Sequence, residues 1–140
     1  MINERMMKIK LDKGAIAPTR AHPYDAGMDL YAMNDAVVDY SETFDTGVHV
    51  EIPEGWVGFI KSKSGLMVNN DITTDGTIDA HYTGSIKVKL FNQGPTSYLV
   101  QAGDKIAQLV IVPCLLPRLE LVDTLEETDR GDSGFGSTGR

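Results

Sequence analysis

The sequence predicts an all-β domain, a barrel or sandwich of short strands with at most one short helix and a mobile C-terminal arm. Three observations lead to that expectation. Apolar and polar residues alternate with a period of two, turn residues separate the alternating runs, and helical periodicity is scarce. A length of 140 residues leaves room for one hydrophobic core, so residues 1–122 are expected to form one β domain and residues 123–140 the arm.

Taken in order, MKIKL (7–11) alternates and reads as the first strand. VHVEI (48–52) and WVGFIKS (56–62) follow the same rule, with Pro53-Glu54-Gly55 turning the chain between them. One helical turn is expected around SGLMVNN (64–70), where Ser62 or Ser64 can serve as N-cap and Asn69-Asn70 as the stop. Asp75-Gly76 reads as a turn. In SIKVKLF (85–91), Ile86, Val88 and Leu90 fall on one face while Lys87 and Lys89 fall on the other. Gly94-Pro95 and Ala102-Gly103-Asp104 bracket a short strand at YLV (98–100). IAQLVIV (106–112) is the last strand, an apolar run interrupted by Gln108.

From Asp123 the composition turns acidic and then rich in glycine and serine, and Phe135 is the only apolar residue after Leu125. Such a segment reads as an arm outside the core. A lone aromatic among glycines is nevertheless unusual for a tail that only solvates.

The formal charge of −7 argues against broad contact with nucleic-acid backbone, which needs a positive surface. A local anion site built from backbone N–H groups, a few cations and a divalent metal remains compatible with it. Cys114 is the only cysteine, so no intrachain disulfide can form; in LVIVPCLLP it reads as a small buried hydrophobe. MINERMMKIKLDKG lacks the apolar stretch of a signal peptide and no run is long enough to span a bilayer, so a cytoplasmic protein is expected.

His22, His49 and His81 are scattered, with no helical pair and no cysteine partner, which disfavours a protein-ligated zinc. No GxSxG elbow is present, and GFGSTGR has neither the spacing nor the preceding strand of a phosphate-binding P-loop. What remains is a set of polar residues in or beside turns: Asp25 and Asp29, Lys61 and Lys63 before Ser64-Gly65, Asp79 before His81 and Tyr82, Gln108, and Arg130. Each alone also reads as a turn residue or a surface charge.

Together and in this order, these positions resemble the homotrimeric dUTPase family. Its five motifs are recognisable as DAGMDL (25–30), KSKSGL (61–66), GTIDAHYTG (76–84), GDKIAQLVI (103–111) and RGDSGFGSTG (130–139). The similarity runs from about Lys8 to Gly139. It implies a jelly-roll-like β fold, three identical subunits with active sites between them, and a C-terminal arm that closes over a neighbouring subunit's site.

The resemblance also implies the reaction, hydrolysis of dUTP to dUMP and pyrophosphate. Asp79 matches the aspartate that activates the attacking water; an ordinary aspartate, with a pKa of about 3.9, is ionised at neutral pH and can hold that water. Phosphate contacts fall to Lys63, Ser64, Gly65 and Gln108, and from the arm to Arg130, Gly136, Ser137 and Thr138. The hairpin from Gly76 through Ile78 to Tyr82 matches the segment whose main chain pairs with uracil. Tyr82 matches the residue packed under deoxyribose, and Phe135 the one stacked on the base. Magnesium is the implied cofactor, carried by the triphosphate and touched through water by Asp29.

Several positions depart from the family pattern. Lys63 stands where arginine is common, His81 replaces a frequent acidic residue, Asn69-Asn70 replaces part of a lysine-histidine-glycine turn, and Ser133 replaces a glycine. A dCTP deaminase of the same fold needs a glutamate in the strand matching SIKVKLFNQG; Lys89 occupies its place and no acid lies between Ser85 and Gly94. Two further readings are a dUTPase-like protein acting mainly by binding a regulatory partner, through residues 33–53 or the arm, and a β scaffold with a disordered tail.

Overall fold

The computed structural model describes residues 5–139. Among them, eleven strands and one helix follow in order: β1 (Ile9–Leu11), β2 (Met28–Tyr31), β3 (Ala36–Val38), β4 (Ser41–Asp45), β5 (Val48–Val50), β6 (Trp56–Lys61), α1 (Ser64–Asn70), β7 (Ile72–Thr73), β8 (Asp75–Ile78), β9 (Lys87–Asn92), β10 (Tyr98–Val100) and β11 (Lys105–Pro113). Every pairing is antiparallel. The sheets are β2-β11-β6-β8, β4-β9-β7, β1-β5 and β10-β3. The all-β expectation with one short helix therefore holds, and among the described residues no helix is long and apolar enough to cross a membrane.

Alternation makes the core. In β9, Val88, Leu90 and Asn92 turn inward while Lys87, Lys89 and Phe91 turn out. Phe44, Leu30, Val48, Ile60, Ile86, Val100 and Leu109 meet them in one buried cluster. Removing a leucine- or isoleucine-sized side chain from water contributes about 1.5–3 kcal/mol, so this cluster holds the sheets face to face. Asn92 is the polar member: its Nδ2 donates to the carbonyls of Val38 (2.9 Å) and Thr96 (2.8 Å), and its Oδ1 accepts from the N–H of Gly94 (2.9 Å).

β2, β3, β4 and β7 lie where the sequence reading expects no strand, and local details differ from it at three further places. β8 runs straight through Asp75-Gly76, pairing them with Lys61 and Ile60, so the chain does not turn there. Gly76 serves a close approach instead, since a Cβ would lie 3.2 Å from Ile60 Cγ1. The N-cap of α1 is Lys63, with no side-chain cap bond; Ser62 faces Thr74, donating to its carbonyl and accepting from its N–H. Cys114 is half-buried rather than buried, because β11 ends at Pro113 and the chain leaves the sheet there.

From Leu115 to Gly139 every residue is exposed, including Leu115, Leu116, Leu119, Leu121 and Leu125. Packing thus releases the chain earlier than the composition changes.

Asn92→Ala is expected to lower unfolding free energy by about 2–3 kcal/mol, because a buried carbonyl and an N–H lose their partners. Chemical denaturation at matched protein concentration measures it. A loss below about 0.5 kcal/mol would mean that water replaces the amide at no cost.

Candidate active site

β11 is paired on both flanks, and its register builds the polar end of the sheet. Gln108 lies opposite Asp29 of β2 on one side and Lys61 of β6 on the other. Its Nε2 donates to the Ser62 carbonyl at 3.0 Å. That places the amide beside the segment leading into Ser64 and Gly65, both exposed at the start of α1. Gly27 makes room for it: a Cβ there would sit 1.9 Å from Gln108 Oε1.

Asp29 is buried and held by two ammonium groups. Lys63 Nζ donates to Oδ1 at 2.5 Å, and Lys105 Nζ lies 3.4 Å from Oδ2. A carboxylate out of water needs such partners. Asp25, by contrast, closes its own loop, accepting from the His22 N–H and facing His22 Nδ1, both at 3.0 Å.

Asp79 and Tyr82 lie elsewhere. β8 runs antiparallel to β6 with Asp75 opposite Lys61 and Ile78 opposite Gly58, so Asp79 emerges near the start of β6. The turn after it is closed by the Tyr82 N–H donating to the Asp79 carbonyl at 3.2 Å. His81 occupies the left-handed region at φ 71°, and its Nε2 lies 2.8 Å from Glu54 Oε1 in the turn before β6. The Tyr82 hydroxyl donates to the Ser85 carbonyl at 2.9 Å, and a Cβ on Gly84 would meet that hydroxyl at 2.6 Å. The Ser85 hydroxyl in turn donates to Asp45.

That bond from Ser85 holds the Asp45 carboxyl below its ordinary value; partial burial opposes it, and the Gly47 N–H and Lys87 add to it. A depressed carboxyl contributes stability above the ordinary aspartate range and loses it as pH falls through the folded value.

Two groups therefore occupy opposite ends of β6. Lys63, Ser64, Gly65, Gln108 and Asp29 gather at its C-terminal end, and Asp79 and Tyr82 at its N-terminal end. Gly58 and Lys63 are five residues apart on extended backbone, on the order of 16 Å. Arg130, Phe135, Gly136, Ser137 and Thr138 join neither group within this chain: among the described residues the arm is exposed and bonds only to itself, as in Arg130 Nε donating to the Ser133 carbonyl at 2.9 Å.

The family profile described as dUTPase matches residues 13–139. The chain belongs to the dUTPase family. The deoxyuridine 5'-triphosphate nucleotidohydrolase of Clostridium tetani is 42% identical over 145 residues, covering 99% of this chain and 100% of its own length. A mutant dUTPase of Staphylococcus bacteriophage 80alpha, solved with dUpNHpp, superposes with a TM-score of 0.87 at 31% identity, over 98% of this chain and 100% of that one. A mutant dUTPase from phage phi11 of S. aureus, whose structure concerns the coordination of a structural Mg(II) ion, has a TM-score of 0.81 at 29% identity, over 88% of this chain and 100% of that one.

Within this dUTPase framework the structure adds residues that the sequence did not single out. Gly27 and Lys105 sit inside motifs already quoted, so their signal was present in the linear string. The support of Ser85 by Asp45, and of His81 by Glu54, had none, since those partners are distant in sequence.

Asp29→Ala is expected to cost about 2–3 kcal/mol of stability, the range for a lost charge-assisted hydrogen bond, and Asp29→Asn less. Equilibrium unfolding of both variants checks this. Equal stability for Ala and wild type would show that neither lysine depends on Asp29.

Proposed function

We propose that the chain hydrolyses dUTP to dUMP and pyrophosphate, and that family membership spanning residues 13–139 is the observation that carries the reading. Asp79 is the residue assigned to the water. Its exposed carboxylate stands at the end of an edge strand, where it can hold a water by hydrogen bond and take its proton during attack. The new bond joins that oxygen to the α-phosphorus; the bond broken links the α-phosphorus to the departing pyrophosphate. Such chemistry depends mostly on positioning and charge neutralisation.

The main-chain groups from Gly76 through Ile78 are assigned to uracil. β8 pairs only with β6, so its other edge has no strand partner among the described residues and offers N–H and C=O groups to a base. Tyr82 is half-exposed with its hydroxyl fixed on Ser85, a fit to packing against the sugar. Phe135, fully exposed on the arm, is assigned to stacking on the base, with Arg130, Gly136, Ser137 and Thr138 closing on the phosphates.

Lys63, Ser64, Gly65 and Gln108 are assigned to phosphates, supported by their gathering around the end of β6. Among the described residues no three acidic, histidine or cysteine side chains cluster to cage a metal, and Asp29 already faces two lysines. That donor set fits a magnesium that would be carried by the triphosphate and its waters, with Asp29 the residue that would accept from one of them. When bound, the ion would neutralise phosphate charge.

A homotrimer follows from the same reading. Asp79 and the phosphate group lie at opposite ends of β6, which suits a site completed by a neighbouring chain. The exposed leucines after Pro113 suit such assembly, as does a cavity of about 650 Å³ lined by Met7, Ile9, Met28, Trp56 and Ile111. The absence of an intrachain disulfide suits a cytoplasmic enzyme.

Asp79→Asn is expected to lose at least about 10²-fold in turnover of dUTP, as for removal of a general base. Gln108→Ala is expected to raise KM. Co-assembled with Asp79→Asn and assayed at dUTP well below the raised KM, it should exceed the activity of either variant alone, measured as pyrophosphate release. No excess in verified mixed oligomers would place the whole site in one chain. Deleting residues 130–140 should cut turnover sharply while leaving the folded assembly intact by size-exclusion chromatography; undiminished turnover would make the arm a plain tail.

A further inference from the structure

His49 lies outside every motif, yet both of its ring nitrogens are engaged. On β5 it faces Lys10 of β1 in register. Nε2 lies 3.0 Å from Asp12 Oδ1, just past the end of β1, and Nδ1 lies 2.7 Å from the Thr83 carbonyl oxygen. Thr83 directly follows Tyr82. Both partners are acceptors, since a carbonyl has no proton and an ionised carboxylate has none. A neutral imidazole carries one N–H and can satisfy only one of them; the imidazolium satisfies both.

We infer that His49 is a positioning residue for the Asp79–Tyr82 turn, fastening it through the Thr83 carbonyl to Asp12 only while the ring carries both protons. The inference rests on the assignment of that turn to the nucleoside. When the ring is neutral, its proton stays on Nε2, because the charge-assisted bond to Asp12 is the stronger of the two. Nδ1 then presents a lone pair to the Thr83 carbonyl, and the turn loses one of its ties. The ties that remain are the Tyr82 hydroxyl on Ser85 and His81 on Glu54.

The charges around the ring agree with a protonated state. The Thr83 carbonyl and Asp12 raise the His49 pKa above its ordinary 6.5, while Lys10 opposes them. Asp45 of β4 lies near enough for His49 to lower its carboxyl. On the turn itself, His81 is occupied by Glu54. With the folded value raised, the fastening is complete below about pH 6.5 and is lost as pH rises through the folded value.

The test combines steady-state kinetics with ring titration on the full-length enzyme. Between pH 6 and 9, KM for dUTP in the wild type should rise about three- to tenfold, the range of one hydrogen bond, with kcat held. His49→Gln should show the high KM at every pH. Asp12→Asn, which keeps the shape and removes the charge, should move the rise to lower pH. By NMR the His49 ring should titrate above 6.5, and the Gly84 amide, whose peptide bond includes the Thr83 carbonyl, should shift with the same midpoint.

A His49 ring neutral at pH 6, or a His49→Gln KM equal to wild type throughout, would overturn the inference and leave the dUTPase reading standing. A wild type inactive on dUTP at every pH would overturn that reading instead, and the coupled ring and amide titration would still decide whether His49 fastens the turn.

Discussion

The double pairing of β11 is the constraint on which the rest depends. A strand hydrogen-bonded on both flanks cannot slip by one residue without turning its whole buried set to the wrong face. Ile106, Ala107 and Leu109 are buried, and the same register sets Gln108 between Asp29 and Lys61. Core packing and the polar group at the end of β6 are therefore one specification. The bulge between Lys105 and Ala107 re-aims the strand start and leaves Lys105 reaching Asp29.

β6 is the second organising element because it carries the two groups of candidate residues at its two ends. One end leads through Ser62 and Lys63 into α1; the other is met by the outgoing end of β8 and the turn that Glu54 and His81 clamp. A rigid six-residue strand keeps those ends apart, so no side-chain rotation brings Asp79 to Gln108. The leucines beyond Pro113 are exposed, so apolar surface is left uncovered on this chain.

Much of this was legible in the sequence where residues alternate strictly. Val88, Leu90 and their outward lysines announce β9, and WVGFIK announces β6. β4 was hidden: in SETFD only Phe44 is buried, and the strand is held by its pairing with β9. β8 was masked by Asp75-Gly76, a dipeptide that usually turns but here lets the sheet approach Ile60. The candidate residues were named by their motifs, but their grouping was not legible. Grouping follows from strand register, and no linear spacing says that Gln108 will reach Ser62 or that His49 will meet Thr83.

The departure at Lys63 becomes intelligible in the same terms. An arginine presents a planar fork that can take both oxygens of one carboxylate, whereas a lysine presents a point charge and takes one. Here Lys63 takes Oδ1 of Asp29, and Oδ2 is left for Lys105. Two point charges thus satisfy the buried carboxylate that a single fork could cover. The substitution changes how the anionic site is neutralised without removing the neutralisation, because the pairing of β2 with β11 brings Lys105 close enough to share the carboxylate.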